Sequence, residues 1–337
     1  MARCLSTSIF FSLGMNSEPW LPLRDPVFIL SPPLSFSSHF AATLGRHPQL
    51  YAIPETHLFI AETLNEWWDT CAKTSFNMSH GLARSVAELF YGEQNETTVQ
   101  LARAWVRRRL PFTTGYILEL LAERIYPRAL VEKSPSMIFH PESMQRVARM
   151  FPLARFIHLV EHPRRHGEAV VAAIKDVVAH HPNRVPQWLR QLACFSAAHM
   201  DESSQEHPEL DPQQAWFALN KNICEFLEAL QETQKLRVRA EDILNDPDAA
   251  LASIAEWLAI ESDAEAIEAM KHPERSPYAR FGPEEARYGD DAAFLRSPSL
   301  PEPPVEPDDL TSPFSWRDDG AGFSPEVRAL AQAFGYE

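Results

Sequence analysis

Apolar residues along this chain fall into two patterns: short unbroken runs, and longer stretches in which they recur every three or four positions. Pro26-Val-Phe-Ile-Leu30 is the first run, and Ser31-Pro32-Pro33 ends it, which predicts a buried strand meeting a turn. Phe36, Phe40 and Leu44 then recur at fourfold spacing and predict a helix from Ser35 to Gly45, with its serines as caps and Gly45 as its stop. Strand, tight turn and helix together form the entry of an α/β nucleotide-binding unit.

Residues 57–126 read as helical throughout, in segments Leu58–Cys71, Gly81–Tyr91, Val99–Arg109 and Thr114–Ile125. Further strands are predicted at Ala129–Glu132, Ala154–Val160 and Leu236–Arg239. Helices are predicted at Pro141–Met150, Arg165–His180, Pro186–Ser204, Pro212–Gln231, Pro247–Leu258 and Pro325–Phe334. Strands separated by helices imply an α/β protein with a parallel sheet covered on both faces. From 271 to 323 the chain is rich in proline and charge, and Pro298–Pro307 reads as an extended loop. With no internal repeat and no clear linker, the expected organisation is a lead-in over 1–24 and a single domain over 25–337, with a helical insertion at 57–126.

Composition narrows the function classes. A formal charge of −15 argues against a general nucleic-acid binder, which needs a basic face. It does not exclude a small anionic ligand held by a few placed donors. Cys4, Cys71, Cys194 and Cys224 form no CxxC pair and read as reduced thiols, and the 13 histidines show no metal-ligand spacing, so no metal is expected. The apolar stretch Ile9-Phe10-Phe11 is too short to span a membrane and has no small-residue cleavage site after it. A cytoplasmic protein is expected, with Met1 or Met15 as its start.

Four segments in order, joined by a fifth, now carry a resemblance. ILSPPLSFSSHFAATLGRHP, from Ile29 to Pro48, resembles the 5′-phosphosulfate loop of sulfotransferases that use 3′-phosphoadenosine 5′-phosphosulfate (PAPS). VEKSPS at Val131–Ser136 is similar to that family's EKTP element. ARFIHLVEHPRR at Ala154–Arg165 resembles the strand and turn that begin its 3′-phosphate site. LRVRAEDILNDPDAALASIAEWLAI at Leu236–Ile260 resembles its late strand and following helix, and HPERSPYARFGPEEARYGDDAAFL resembles a loop of many bacterial members. The resemblance implies a P-loop-type three-layer fold.

It also implies site residues. Ser35, Ser37 and Ser38 fall on the hydroxyl positions of the donor loop, where backbone N–H groups at a helix N-terminus face phosphate oxygens. Glu55 falls where many members carry a catalytic glutamate that takes the acceptor's proton. Lys133 would stabilise the bridging oxygen, or else pair structurally with Glu132 or Glu241. His57 and His39 are reserve bases. Arg164 and Arg280 are candidate anion contacts, Arg164 having surface salt bridges with Glu161 or Glu168 as its alternative, while Arg107-Arg108-Arg109 reads as cations at a helix end.

Five positions depart from the family pattern: Ser31 and Phe36 replace glycine, Leu34 and Glu161 replace arginine, and Ala169 replaces serine. At Phe36 the expectation is added bulk and a backbone dihedral that only glycine tolerates. Two readings therefore stand side by side. One is a PAPS-dependent sulfotransferase of secondary metabolism acting on a hydroxyl or amine of a small-molecule or carrier-bound acceptor. The other is a pseudoenzyme, partner subunit or repurposed enzyme that no longer uses PAPS. A homo-oligomer or a protein partner is compatible with either, and a P-loop kinase is not, because GxxxxGK[ST] is missing.

Overall fold

A computed structural model describes residues 25–180, 189, 192, 211–303, 309–317 and 319–337. The lead-in over 1–24, most of the helix predicted at Pro186–Ser204, Cys4 and Cys194 lie outside the described residues.

Five strands, β1 (Val27–Leu30), β2 (Leu50–Ala52), β3 (Ala129–Glu132), β4 (Arg155–Val160) and β5 (Lys235–Arg239), form one sheet in the order β2-β3-β1-β4-β5, with every pairing parallel. The α/β parallel architecture expected from the sequence is thus present. The helices are α1 (Ser37–Leu44), α2 (Leu64–Thr74), α3 (His80–Tyr91), α4 (Glu96–Arg107), α5 (Thr114–Ile125), α6 (Ser136–Phe139), α7 (Pro141–Met150) and α8 (Pro163–His180). After them come α9 (Pro212–Glu228), α10 (Ala240–Asn245), α11 (Pro247–Trp257), α12 (Ala264–Met270), α13 (Ala292–Arg296) and α14 (Pro325–Ala333).

The unbroken apolar runs arise because both sheet faces are covered. Along β1, Phe28 and Leu30 enter a core with residues of α2–α5, whereas Val27 and Ile29 enter the opposite core with residues of α1, α10 and α11. Two helices of the segment 57–126 are capped by their own side chains. Thr63 and Glu66 make a reciprocal capping box at α2, and Asn95 with Thr98 does the same at α4. Arg107 and Arg109, at the end of α4, lie over the rings of Trp68 and Trp105, which fits their reading as helix-end cations.

Strand β2 was not expected from the sequence. Its three residues are too few to show a period, and it is defined by its neighbour: Leu50, Tyr51 and Ala52 align with Ala129, Leu130 and Val131. Gly45 does end α1, but with φ −66 it is not a left-handed stop. Its role is close approach, since a Cβ there would stand 2.5 Å from the Cβ of Ala52. Among the described residues, no helix is long and apolar enough to cross a membrane, and no group of histidine, cysteine and acidic side chains is arranged to hold a metal ion.

Candidate active site

In this strand order the carboxyl ends of β2, β3 and β1 lie side by side, which is where open parallel sheets bind ligands. Each end contributes one part of a single cluster. Glu55 follows β2, Lys133 follows β3, and the loop from Ser31 leads from β1 into α1.

Lys133 stands at the centre and is 4% exposed. Its Nζ donates to Ser38 Oγ at 2.9 Å, to Asp290 Oδ1 at 3.1 Å and to Glu55 Oε1. An ammonium has three N–H donors, so the set is complete. Its carboxylate partners are therefore Glu55 and Asp290, not Glu132 or Glu241. Burial disfavours the Lys133 charge, but the carboxylates of Asp290 and Glu55 outweigh it and push the pKa up. Burial likewise raises Glu55, yet the Lys133 and His57 charges and hydrogen bonds prevail and hold it at about 2.

The segment Glu55-Thr56-His57 is gripped residue by residue from the β3–α6 turn. Glu55 meets Lys133. Thr56 donates its N–H and its hydroxyl to Glu132 Oε1, at 3.3 and 2.8 Å. His57 donates its N–H to Ser134 Oγ at 2.9 Å, and its Nδ1 lies 2.8 Å from Ser136 Oγ. These bonds hold His57 in the left-handed region, at φ 52, with Nε2 3.4 Å from Glu55 Oε2. Beneath them Glu132 is wholly buried; Ser134 also donates to its Oε1, while Oε2 has no hydrogen-bond partner.

The serines between β1 and the first turn of α1 do not cap that helix. The cap position is Phe36, without a side-chain bond. Ser35, Ser37 and Ser38 are buried instead, Ser38 on Lys133 and Ser35 with its Oγ unpartnered. Phe36 has φ −61, a conformation open to any residue, so the expected glycine-only dihedral is not there. The left-handed residue is Leu34, at φ 64. The bulk expected at Phe36 is accommodated: its ring stacks on His39 at 5.6 Å and packs into the core on the α1 side. His39 Nε2 lies 3.0 Å from Ser297 O, away from the Lys133 cluster's hydrogen bonds.

At the carboxyl end of β4, Glu161 is buried and its Oε1 lies 3.5 Å from Arg165 Nε. Arg164 is engaged elsewhere. Its guanidinium donates to the carbonyls of Asp309, Ser312 and Pro313 at 2.7–3.2 Å and lies over the ring of Phe323. Ala169 is half-buried on α8. His166 is a contact the sequence did not reveal: burial holds it neutral, at about 4, and its Nε2 lies 3.0 Å from Pro33 O, tying α8 to the β1–α1 loop.

Asp290 and Arg84 were also missed. Arg84 is fully buried in α3, and its guanidinium donates to Gln94 Oε1 and to the carbonyls of Tyr278, Arg280 and Tyr288. It thereby shapes the late loop that delivers Asp290. The scarce glycines in that loop were the available hint: a Cβ at Gly282 would meet Ala286 O at 2.3 Å, and Gly289 has φ 120. Arg280 itself is exposed at the loop surface, and Arg287 lies over the ring of Phe281.

A family model described as "Sulfotransferase family" matches residues 26–264. The structure resembles a sulfotransferase domain from the curacin biosynthetic pathway, with TM-score 0.64 and 20% identity over 94% of this chain and 99% of that one. It also resembles a sulfotransferase domain from the olefin synthase of Synechococcus PCC 7002, with TM-score 0.67 and 22% identity over 93% and 96% of the two chains. No curated protein matches.

Proposed function

The chain belongs to the sulfotransferase family, and from that premise we propose that it transfers a sulfuryl group from PAPS to a hydroxyl or amine of a small-molecule or carrier-bound acceptor. The observation that carries this reading is the Lys133 ammonium, joined at once to Ser38 of the donor loop and to the Glu55 carboxylate.

The residues present fit one half of the donor. The Ser35 hydroxyl is buried and unpartnered, and the first main-chain N–H groups of α1 have no acceptor within their own helix. These groups, at the N-terminal end of α1, suit the 5′-phosphosulfate. Glu55 takes the proton from the acceptor oxygen or nitrogen as that atom bonds to sulfur. The sulfur–oxygen bond to the 5′-phosphate breaks, and its electron pair leaves with 3′-phosphoadenosine 5′-phosphate (PAP). Lys133 faces the charge that develops on that oxygen.

The other half fits less well. Glu161 and Ala169 stand where the resemblance calls for arginine and serine, and the Arg164 N–H groups are committed to carbonyls, leaving exposed Arg280 to reach an anion. Each missing charged hydrogen bond costs about 1.5–3 kcal/mol, so two weaken binding by about two orders of magnitude or more. This supports the second reading, a sulfotransferase fold that no longer uses PAPS. Calorimetric titration with PAP separates the two. Micromolar binding that disappears in Lys133→Ala supports the donor reading, and no binding at millimolar PAP removes it.

A further inference from the structure

The three donors of Lys133 are all occupied, so the proposed contact with the donor needs one of its partners to leave. Ser38 is the second residue of α1, 3% exposed and fixed with its helix. Glu55 is held by four other constraints. Its N–H donates to Gly289 O at 2.7 Å, and its carbonyl lies against the Gly81 backbone. Its second carboxylate oxygen faces His57, and Thr56 beside it is bound to Glu132.

Asp290 is different. It lies in irregular chain just after Gly289 and before α13, in neither helix nor strand. Its Oδ1 also accepts the N–H of Asp291 at 3.0 Å, so a carboxylate that leaves Lys133 keeps a donor. Electrostatics favours the same departure. Lys133, Glu55 and Asp290 together carry a net charge of about −1, which repels an arriving anion in partly desolvated surroundings, and Asp290 on leaving Lys133 still has the buried Arg84 guanidinium nearby.

Resting on the donor reading above, we infer that Asp290 is the counter-ion that the donor's anionic group displaces from Lys133, so that donor binding frees Asp290 and the chain that follows it, while Gly289 keeps its bond to Glu55. Glu55 and Ser38 stay in place. Lys133 exchanges one carboxylate for a phosphate or sulfuryl oxygen, and the site changes from a closed ion cluster to one that holds donor and base together. Asp290 thereby sets donor affinity without touching the acceptor's reacting atom.

The test uses the full chain and PAP as probe, by calorimetry on wild type, Asp290→Asn and Asp248→Asn. The last variant removes the same charge at a remote site, where Asp248 pairs with Lys271. Asp290→Asn binds PAP about tenfold tighter than wild type, the worth of one removed charge-assisted competitor, and Asp248→Asn binds as wild type does. Hydrogen exchange of the segment 290–296 needs no variant: in wild type it speeds up when PAP is added. An Asp290→Asn affinity equal to or below a measurable wild-type affinity overturns the inference, as does unchanged or slower exchange of 290–296 with PAP. A wild type that does not bind PAP fails earlier and removes the donor reading itself.

Discussion

The backbone of Gly81 lies against that of Glu55 so closely that a Cβ on Gly81 would stand 1.9 Å from the Glu55 carbonyl oxygen. Gly289 closes the same contact from the other side, its carbonyl accepting the Glu55 N–H, and a Cβ on it would meet Gly81 Cα at 2.9 Å. The candidate base is thus located by main-chain packing of α3 and the late loop.

Gly81→Ala must therefore separate α3 from the Glu55 segment, because neither contacting group is a flexible side chain. Destabilisation of about 1–3 kcal/mol is expected, read as a lower melting temperature. Sulfuryl transfer should fall by more than stability accounts for, since moving a base by about 1 Å costs about 100-fold. Full activity in Gly81→Ala would contradict this placement of the base.

The depressed pKa of Glu55 gives a stability profile with a definite sign. Its carboxyl titrates near 4.5 when unfolded and at about 2 when folded, so the unfolded state binds the proton more tightly. The contribution is present above pH 4.5 and is lost as pH falls from there toward 2. Urea unfolding at pH 6, 4.5 and 3 should show a steeper fall in wild type than in Glu55→Gln, the difference being the share of Glu55.

The Lys133 charge leads the causes of that depression, and its removal leaves Glu55 and Asp290 without their shared ammonium. Lys133→Met is expected to cost about 3–5 kcal/mol, as when one partner of a buried pair is deleted. Adding Glu55→Gln and Asp290→Asn should recover part of the loss, because the remaining groups are then neutral. Strict additivity of the three changes would mean that the contacts among them carry no energy.

How far the sequence reached follows the same physics. Strands β1, β3, β4 and β5 were legible because a sheet buried on both faces needs unbroken apolar runs, whereas three-residue β2 depends on its pairing with β3. The Ser35–Ser38 loop, Glu55 and Lys133 follow strand ends within recognisable segments. Asp290 does not, since it reaches Lys133 across 157 residues through a loop shaped by Arg84 and by Gly289. The strained residue of the donor loop was read as Phe36 and is Leu34, because turn dihedrals depend on which main-chain groups meet and not on residue size.

Arg84 is the side chain on which the late loop is built. Its guanidinium is buried, and burial lowers its pKa to about 10 although nearby Asp290 favours the charge. Arg84→Met keeps much of the volume but leaves the carbonyls of Tyr278, Arg280 and Tyr288 without their donor, each costing about 1–3 kcal/mol if it stays buried. The loop is expected to open instead, so limited proteolysis should cut between 278 and 290 far faster than in wild type. Cleavage elsewhere, with this loop still protected, would show that Arg84 does not hold it.

Glu132 provides a pH test of opposite sign to that of Glu55. Burial raises its pKa, and the hydrogen bonds from Ser134 and Thr56 offset this only in part. A carboxyl whose folded pKa is raised contributes stability below its unfolded value, and that contribution is lost as pH rises through the folded one. Wild type should therefore lose stability from this group above about pH 4.5, the ordinary glutamate value. Glu132→Gln removes the titration while its side-chain oxygen still accepts from Thr56. Its unfolding free energy should vary less with pH than that of wild type between pH 5 and 8. Because Thr56 adjoins Glu55, kcat should fall by less in Glu132→Gln than in Glu132→Ala, which leaves Thr56 without its acceptor. Equal kcat values for the two variants would show that Glu132 supports the fold without positioning the base.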